Sequence, residues 1–184
     1  MNIEVNDERI EIIQGQAMPL ASPAFGHGAM AMVLSHALNP WQGPGGGSRP
    51  GGWWLSVEVD VRIGADMFVP DIAGWRIDKM PTAPSSRPVE QPPDWVCEIL
   101  SPSTAARDIS YKQAAYHAAG VGHLWLVSPT DRTLLILERD KRRYSLVDAG
   151  GIGSELQAPP FDGLHLVLDD LLVTAGLIKP DARE

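Results

Sequence analysis

A single α+β domain is the fold class this 184-residue sequence predicts, and three observations predict it. Short runs carry apolar side chains at every second position, as half-buried strands do. Other segments repeat their apolar side chains at helical spacing. Neighbouring strand-like runs are joined by short polar turns, so the central sheet is expected to be mainly antiparallel. The length suits one compact domain with a sizeable core spanning residues 1–184. Apolar and charged fractions of 44% and 21% are those of an ordinary globule.

The elements follow in order. "IEV" and "RIEIIQGQAM" read as two short strand pieces with "NDE" as turn chemistry between them. "HGAMAMVLSHAL" places Met30, Val33, Leu34 and Leu38 at helical spacing, predicting a helix over 27–38. The loop 39–52, "NPWQGPGGGSRPGG", is too rich in Gly and Pro for regular structure, and no Gly-Lys-Ser/Thr ends it as a phosphate-binding loop requires. "WWLSVEVDVRIG" reads as one strand, with Val57, Val59, Val61 and Ile63 on one face and Glu58, Asp60 and Arg62 on the other. "MFVPDIAGW" is a second strand and "DWVCEILS" a third, separated by the Pro-rich loop 80–93. "RDISYKQAAYHAAG" is a helix with Gly120 as its C-terminal cap. "HLWLVS" and "TLLILE" form a hairpin about "PTDR", "RRYSLVD" and "LHLVL" are further strands, and "DDLLVTAGL" closes the chain as a helix.

Several classes are disfavoured. No apolar run approaches the ~20 residues of a membrane span, and the start, "MNIEVNDERI", is acidic and polar, unlike a signal peptide. Cys97 is the single cysteine, which fits a reducing cytoplasm. A net charge of −8 argues against a surface that broadly coats nucleic acid. Arg132, Arg139, Lys141, Arg142 and Arg143 concentrate positive charge in one segment, either as a solvated hairpin or as a low-affinity phosphate contact.

Two aspects of the pattern point to chemistry. In "FVPDIAGW", Asp71 is the one charge among Phe68, Val69, Ile72, Ala73 and Trp75; in "WVCEIL", Glu98 is the one charge of a buried strand. A desolvated carboxylate costs several kcal/mol unless compensated. Strand period two puts Val96, Glu98 and Leu100 on one face, opposite Trp95, Cys97 and Ile99. If the two strands pair antiparallel, Asp71 and Glu98 sit side by side, and a divalent cation is the usual remedy. The alternative is that each is neutralised by an arginine or caps a backbone amide. Asp108, Lys112 and Tyr116 share one face of the following helix. Of the four lysines, Lys112 is the one lying just beyond Glu98; its alternative is a solvated pair with Asp108.

"VPD" followed by "PPDWVCEILSPSTAARDISYKQAAYHAAGVGHLWLVSP" resembles the Uma-two family of restriction-endonuclease-like proteins, within the PD-(D/E)XK nuclease superfamily. The likeness runs from about residue 9 to residue 172, and Pro92 to Pro129 is its specific part. It implies a four-stranded mixed core sheet flanked by helices, with extra hairpins, and magnesium-dependent cleavage of phosphodiester bonds. Asp71 stands at the motif aspartate and Glu98 at the acidic residue of the (D/E)XK element. The lysine two residues after the glutamate would fall at Leu100; Lys112 substitutes if its amine swings back to the same point, as in this family.

These residue types suit the chemistry. Two carboxylates hold Mg²⁺, or Mn²⁺ in its place, while it keeps several waters and binds a phosphate oxygen. An ammonium stabilises the attacking hydroxide or the developing phosphate charge. Supporting candidates are Tyr116, as a hydrogen-bond donor; Glu58 and Asp60, as further ligands or a solvated edge; His27, capping the first helix or facing the cleft; and Glu11, as a weaker carboxylate near the same end of the sheet. The remaining histidines lack metal-ligand spacing. "SPST" reads as turn and helix-start chemistry. Trp41, Trp53 and Trp54 either pack or stack on bases.

The first expectation is therefore a metal-dependent endonuclease acting on nucleic acid, DNA in the first instance. The competing one is a nuclease-fold protein without useful catalysis that serves as a binding or assembly module. A homodimer is expected because a duplex has two strands, with the hairpin "HLWLVSPTDRTLLILE" as its apolar surface. Replacing Lys112 or Glu98 is expected to cost little stability.

Overall fold

The computed structural model describes residues 9–20, 22–101 and 105–180; the "IEV" segment, residues 102–104 of "SPST" and the Asp108 side chain lie outside the described part. Its spine is a six-stranded mixed sheet in the order β10-β9-β8-β7-β6-β3. Its members are β3 (Trp53–Val57), β6 (Ile72–Arg76), β7 (Trp95–Ile99), β8 (His123–Ser128), β9 (Thr133–Arg139) and β10 (Tyr144–Gly150). Only β7 and β8 run parallel, and a parallel pair needs a crossover. Helix α2 (Ala105–Ala119) is that crossover, ended by Gly120 at φ +88°. The four-stranded mixed core expected from the resemblance is β3-β6-β7-β8, extended here by β9 and β10.

Alternation along β7 separates two cores. Trp95, Cys97 and Ile99 face α1 (Phe25–Leu38) and α3 (Leu168–Thr174), joining Trp125, Phe161, Leu34 and Leu172. Val96 faces the other way, with Ala73, Trp75, Leu124 and Tyr116 of α2. A second, antiparallel sheet covers that side: β2 (Gln16–Pro19), β1 (Ile10–Ile13), β5 (Asp66–Phe68) and β4 (Val61–Ile63), whose Val61, Ile63 and Phe68 join the same core. β1 and β2 turn through Gln14 and Gly15, both at positive φ, as a two-residue hairpin turn of the primed type requires. A small pair, β11 (Glu155–Gln157) and β12 (His165–Val167), leads into α3.

Two expected strands prove to be two each. "WWLSVEVDVRIG" breaks at Glu58, where φ is +48°: Val57 ends β3 at 51% exposed, and Val61 begins β4 fully buried. "MFVPDIAGW" breaks at Val69–Asp71, leaving β5 in the small sheet and β6 in the large one. Alternation runs through the first corner and an apolar run through the second, so the pattern alone reads both as unbroken. The corners are bonded to each other, Glu58 N–H donating to Asp71 C=O at 3.1 Å. That junction brings the small sheet to the end of the large one.

The expected dimer surface is corrected. β8 and β9 are interior strands, and Leu124, Trp125, Leu126, Val127, Leu134 and Ile136 of the hairpin are buried within the chain's own core. Trp41 and Trp53 are likewise buried, packed edge-on or tilted against Phe161, and Trp54 gives its indole N–H to Met80 C=O. They are packing residues. The loop 39–52 is folded: Gly51 passes so close to Gly45 that a Cβ on Gly51 would stand 2.1 Å from Gly45 N.

Candidate active site

The site forms where β6 begins and β7 ends. The antiparallel register pairs Ile72 with Cys97, and continuing it one step brings Asp71, just before β6 begins, level with Glu98. Asp71 is therefore held at a strand end, where its carboxylate reaches past the sheet. Its Oδ2 accepts the Ile99 N–H at 2.6 Å, and its Oδ1 lies 3.0 Å from His27 Nε2, in the first turn of α1. The backbone-amide part of the alternative reading thus occurs, but the side-chain partner is a histidine, not an arginine. His27 does not cap its helix. Its hydrogen bond to Asp71 holds the imidazole above its ordinary pKa against partial burial, helped by the Asp71, Glu58 and Glu98 charges. Its Nδ1 is buried without a hydrogen-bond partner.

Glu98 is 8% exposed. Its Oε1 accepts the Tyr116 O–H at 2.7 Å and lies 3.5 Å from Lys112 Nζ. Lys112 and Tyr116 are neighbours on one α2 face, and α2 lies over β7 because it connects β7 to β8. Lys112 turns inward, with its side chain 13% exposed, and its shorter contact is to Glu11 Oε1, 2.7 Å away. The same Glu11 oxygen accepts the Val69 N–H at 2.9 Å, two residues before Asp71. Glu11, the weaker carboxylate by sequence, is thus built into the cluster. It arrives on β1, through the small sheet, and nothing local in "RIEIIQG" shows that fold-back; its isolation between apolar neighbours is the one signal.

Charge explains the perturbations. Burial pushes the Glu98 carboxyl up to about 7; Lys112 opposes that rise, while Asp71 and Glu11 add to it. Burial alone would lower Lys112, but Glu98 and Glu11 outweigh it and hold the ammonium above its ordinary range. Burial and Glu98 likewise push the Tyr116 phenol well up. Lys112 is consequently a permanent cation at neutral pH. Three carboxylates share one ammonium and one imidazole, leaving excess negative charge in a desolvated corner.

Glu58 and Asp60 are placed otherwise. Arg9 pairs with the Glu58 carboxylate, and Arg87 takes that of Asp60 at 2.5 Å. Leu100, at the expected lysine position, packs against the α2-side core. Arg139, Lys141, Arg142 and Arg143 of the basic segment lie at the far end of the sheet, while Arg132, in the turn before Thr133, lies at the Glu98 end. Glu138 is level with His123 and Trp95, three residues and about 10 Å short of Glu98, and Lys141, Arg142 and Arg143 lie beyond it.

A family model named Uma2 and described as "Putative restriction endonuclease" matches residues 2–169. The chain belongs to the Uma2 family. A solved structure, that of "a putative nuclease belonging to DUF820 from Anabaena variabilis", aligns with TM-score 0.73 at 22% identity, covering 90% of each chain; that likeness is one of fold. No curated protein matches the chain. No helix among the described residues of this Uma2 chain is long and apolar enough to cross a membrane.

The donor set can be judged against a metal. Among the described residues no three His, Cys, Asp or Glu side chains form a metal-holding group. Mg²⁺ does not need three: it keeps several waters and is commonly bound through one or two carboxylates plus substrate phosphate. Asp71 and Glu98, hard oxygen donors at the adjoining ends of β6 and β7, fit that demand.

Proposed function

We propose that the chain is a divalent-metal-dependent endonuclease that hydrolyses phosphodiester bonds of nucleic acid, DNA in the first instance. The observation carrying this reading is the register that sets Asp71 against Glu98 at the sheet end, with Lys112 leaning over Glu98. Asp71 and Glu98 would hold Mg²⁺, with Mn²⁺ as a substitute. Such an ion neutralises phosphate charge and lowers the pKa of a bound water.

The chain's own groups have distinct tasks. The Ile99 N–H and His27 each hold one Asp71 oxygen and so set the carboxylate's orientation. Tyr116 holds Glu98 Oε1 in the same way. Lys112 stays protonated, so it works as a fixed positive charge and hydrogen-bond donor toward hydroxide or phosphate, and it does not serve as the base. Glu11 anchors Lys112 and is itself pinned by Val69 N–H. A plasmid-nicking assay with Mg²⁺ or Mn²⁺ tests the proposal: wild type nicks, chelated wild type and Glu98→Ala do not. A second reading, a binding or assembly module of the same fold, is favoured by Leu100 standing where a lysine is expected and by the internal partners that already occupy Asp71 and Glu98. Metal binding without nicking of any DNA or RNA substrate would select it.

A further inference from the structure

The fold splits the basic segment, and Arg132 stands apart from the rest of it. The other members lie at the end of the sheet remote from Glu98, whereas Arg132 belongs to the β8–β9 turn, at the Glu98 end. Register fixes the distance. Leu126 is level with Glu98, Ser128 is two residues further along β8, and Thr133 faces Ser128 on β9. Arg132 therefore stands about three residues along and two strand spacings across from Glu98, roughly 14 Å between Cα atoms. At a rise of about 3.4 Å per nucleotide, that is within about four nucleotides of a phosphate held at Asp71 and Glu98.

Nothing in the chain's own packing accounts for an arginine at this position. Arg132 is exposed, and among the described residues its side chain makes no hydrogen bond or ion pair. The adjacent carboxylate is turned to Ser128: Asp131 Oδ2 accepts the Ser128 O–H at 2.8 Å, and the Asp131 N–H donates to the same hydroxyl at 3.1 Å. Those bonds close the turn without Arg132. Its backbone has φ +52°, a left-handed conformation that glycine or asparagine adopts at less cost. Cations nearer the site are already engaged, Arg9 with Glu58 and Lys112 with Glu11 and Glu98. Lys179 follows Leu177, which packs against Gly26 at the start of α1, on the opposite face of the sheet.

A nucleic-acid strand needs such a charge beside this site. The candidate site holds excess negative charge and the whole chain carries −8, so a strand leaving it is repelled unless a cation lies along its path. An arginine suits that task, because its forked N–H groups match two oxygens of one phosphate. We infer that Arg132 holds a backbone phosphate of the substrate strand, on the β8–β9 side of the scissile bond, and so sets the strand's course across the sheet end. The inference rests on the nuclease reading for where the scissile bond lies. Such a contact serves every sequence alike, since phosphate contacts fix position and carry no base information.

Fluorescence anisotropy of a short fluorescein-labelled DNA duplex, titrated with the full chain across a salt series with Ca²⁺ in place of Mg²⁺, reads this contact apart from cleavage. Arg132→Gly is the main variant, because glycine accepts the turn's backbone; it should melt no lower than wild type. Its plot of log affinity against log salt should be shallower by about 0.9, the share of one phosphate, with binding roughly tenfold weaker at ~50 mM salt. Arg132→Lys should keep the slope, and Lys141→Ala and Lys179→Ala should leave slope and affinity at wild-type values. In the nicking assay Arg132→Gly should raise KM and keep kcat within about twofold. A wild-type slope in Arg132→Gly, an equal loss in Lys141→Ala or Lys179→Ala, or a wild type that binds no duplex would overturn the inference. Arg132-dependent binding without nicking would overturn the nuclease reading and leave the phosphate contact standing. Nicking that Arg132→Gly leaves at wild-type KM would do the reverse.

Discussion

The two faces of β7 carry alternate residues of one five-residue strand, yet they are built for opposite ends. Trp95, Cys97 and Ile99 face a closed apolar core in which Trp95 meets Trp125 and Phe161 edge-on at 4.9 and 5.0 Å. Across the strand, Val96 faces the second core, and two residues on Glu98 stands beside Lys112, Glu11 and Asp71. Apolar burial on the first face adds stability directly. On the second, ions are buried whose desolvation their pairing only partly offsets. Retaining such a corner costs stability that the apolar face supplies.

That contrast can be broken from either side. The largest effects fall on cleavage and on packing. Glu98→Ala should abolish metal-dependent nicking, and Lys112→Ala should lower it roughly 10²–10⁴-fold, the range for losing a positioned catalytic group. Trp95→Ala should cost about 3–5 kcal/mol in urea unfolding while leaving metal affinity near wild type in the folded fraction. Lys112→Ala should also be destabilising by about 3–5 kcal/mol, since two buried carboxylates lose their cation. This revises the small change expected from sequence, where charges clustered at one catalytic site read as strained and cheap to remove; the structure shows Lys112 turned inward and paired between Glu11 and Glu98.

Intermediate effects concern pH. The folded Glu98 carboxyl, raised to about 7 from an ordinary 4.5, binds its proton more tightly than the unfolded chain does. In chelator, its contribution to stability is therefore complete below about 4.5 and is lost as pH rises through about 7. Glu98→Gln should lack that slope, and a slope retained in the variant would place its origin elsewhere. The smallest effect is a control. Lys79 pairs with Asp94 at the surface, so Lys79→Ala should change stability by at most about 1 kcal/mol and leave nicking unchanged. Equal loss of nicking in Lys79→Ala and Lys112→Ala would make Lys112 an ordinary helix lysine.

Much of the charged face is legible in the sequence. A single charge in an apolar strand is a local signal, and both Asp71 and Glu98 carry it; strand parity then gives the face, and the helix after β7 gives Lys112. Cys97 pointing away follows from the same parity. The features that escape such reading are non-local. Glu11 reaches the site only because β1 pairs with β5, and β5 is severed from β6 at a corner that alternation cannot reveal. His27 meets Asp71 because α1 packs across the opposite face of the sheet, a relation absent from helical spacing. The hairpin at 123–138 misleads for the complementary reason: interior and interface strands share one apolar composition, and only the strand order shows that β8 and β9 have neighbours on both sides.

The most direct measurement is calorimetric titration of Mn²⁺ into wild type, Asp71→Asn, Glu98→Gln and Lys112→Ala at neutral pH. A metal held between Asp71 and Glu98 gives one saturable site in wild type and loss of it in both carboxylate variants. Affinity should be kept or slightly raised in Lys112→Ala, where a cation has left the neighbourhood of the ion. No saturable binding in wild type, or binding that neither Asp71→Asn nor Glu98→Gln weakens, would contradict it.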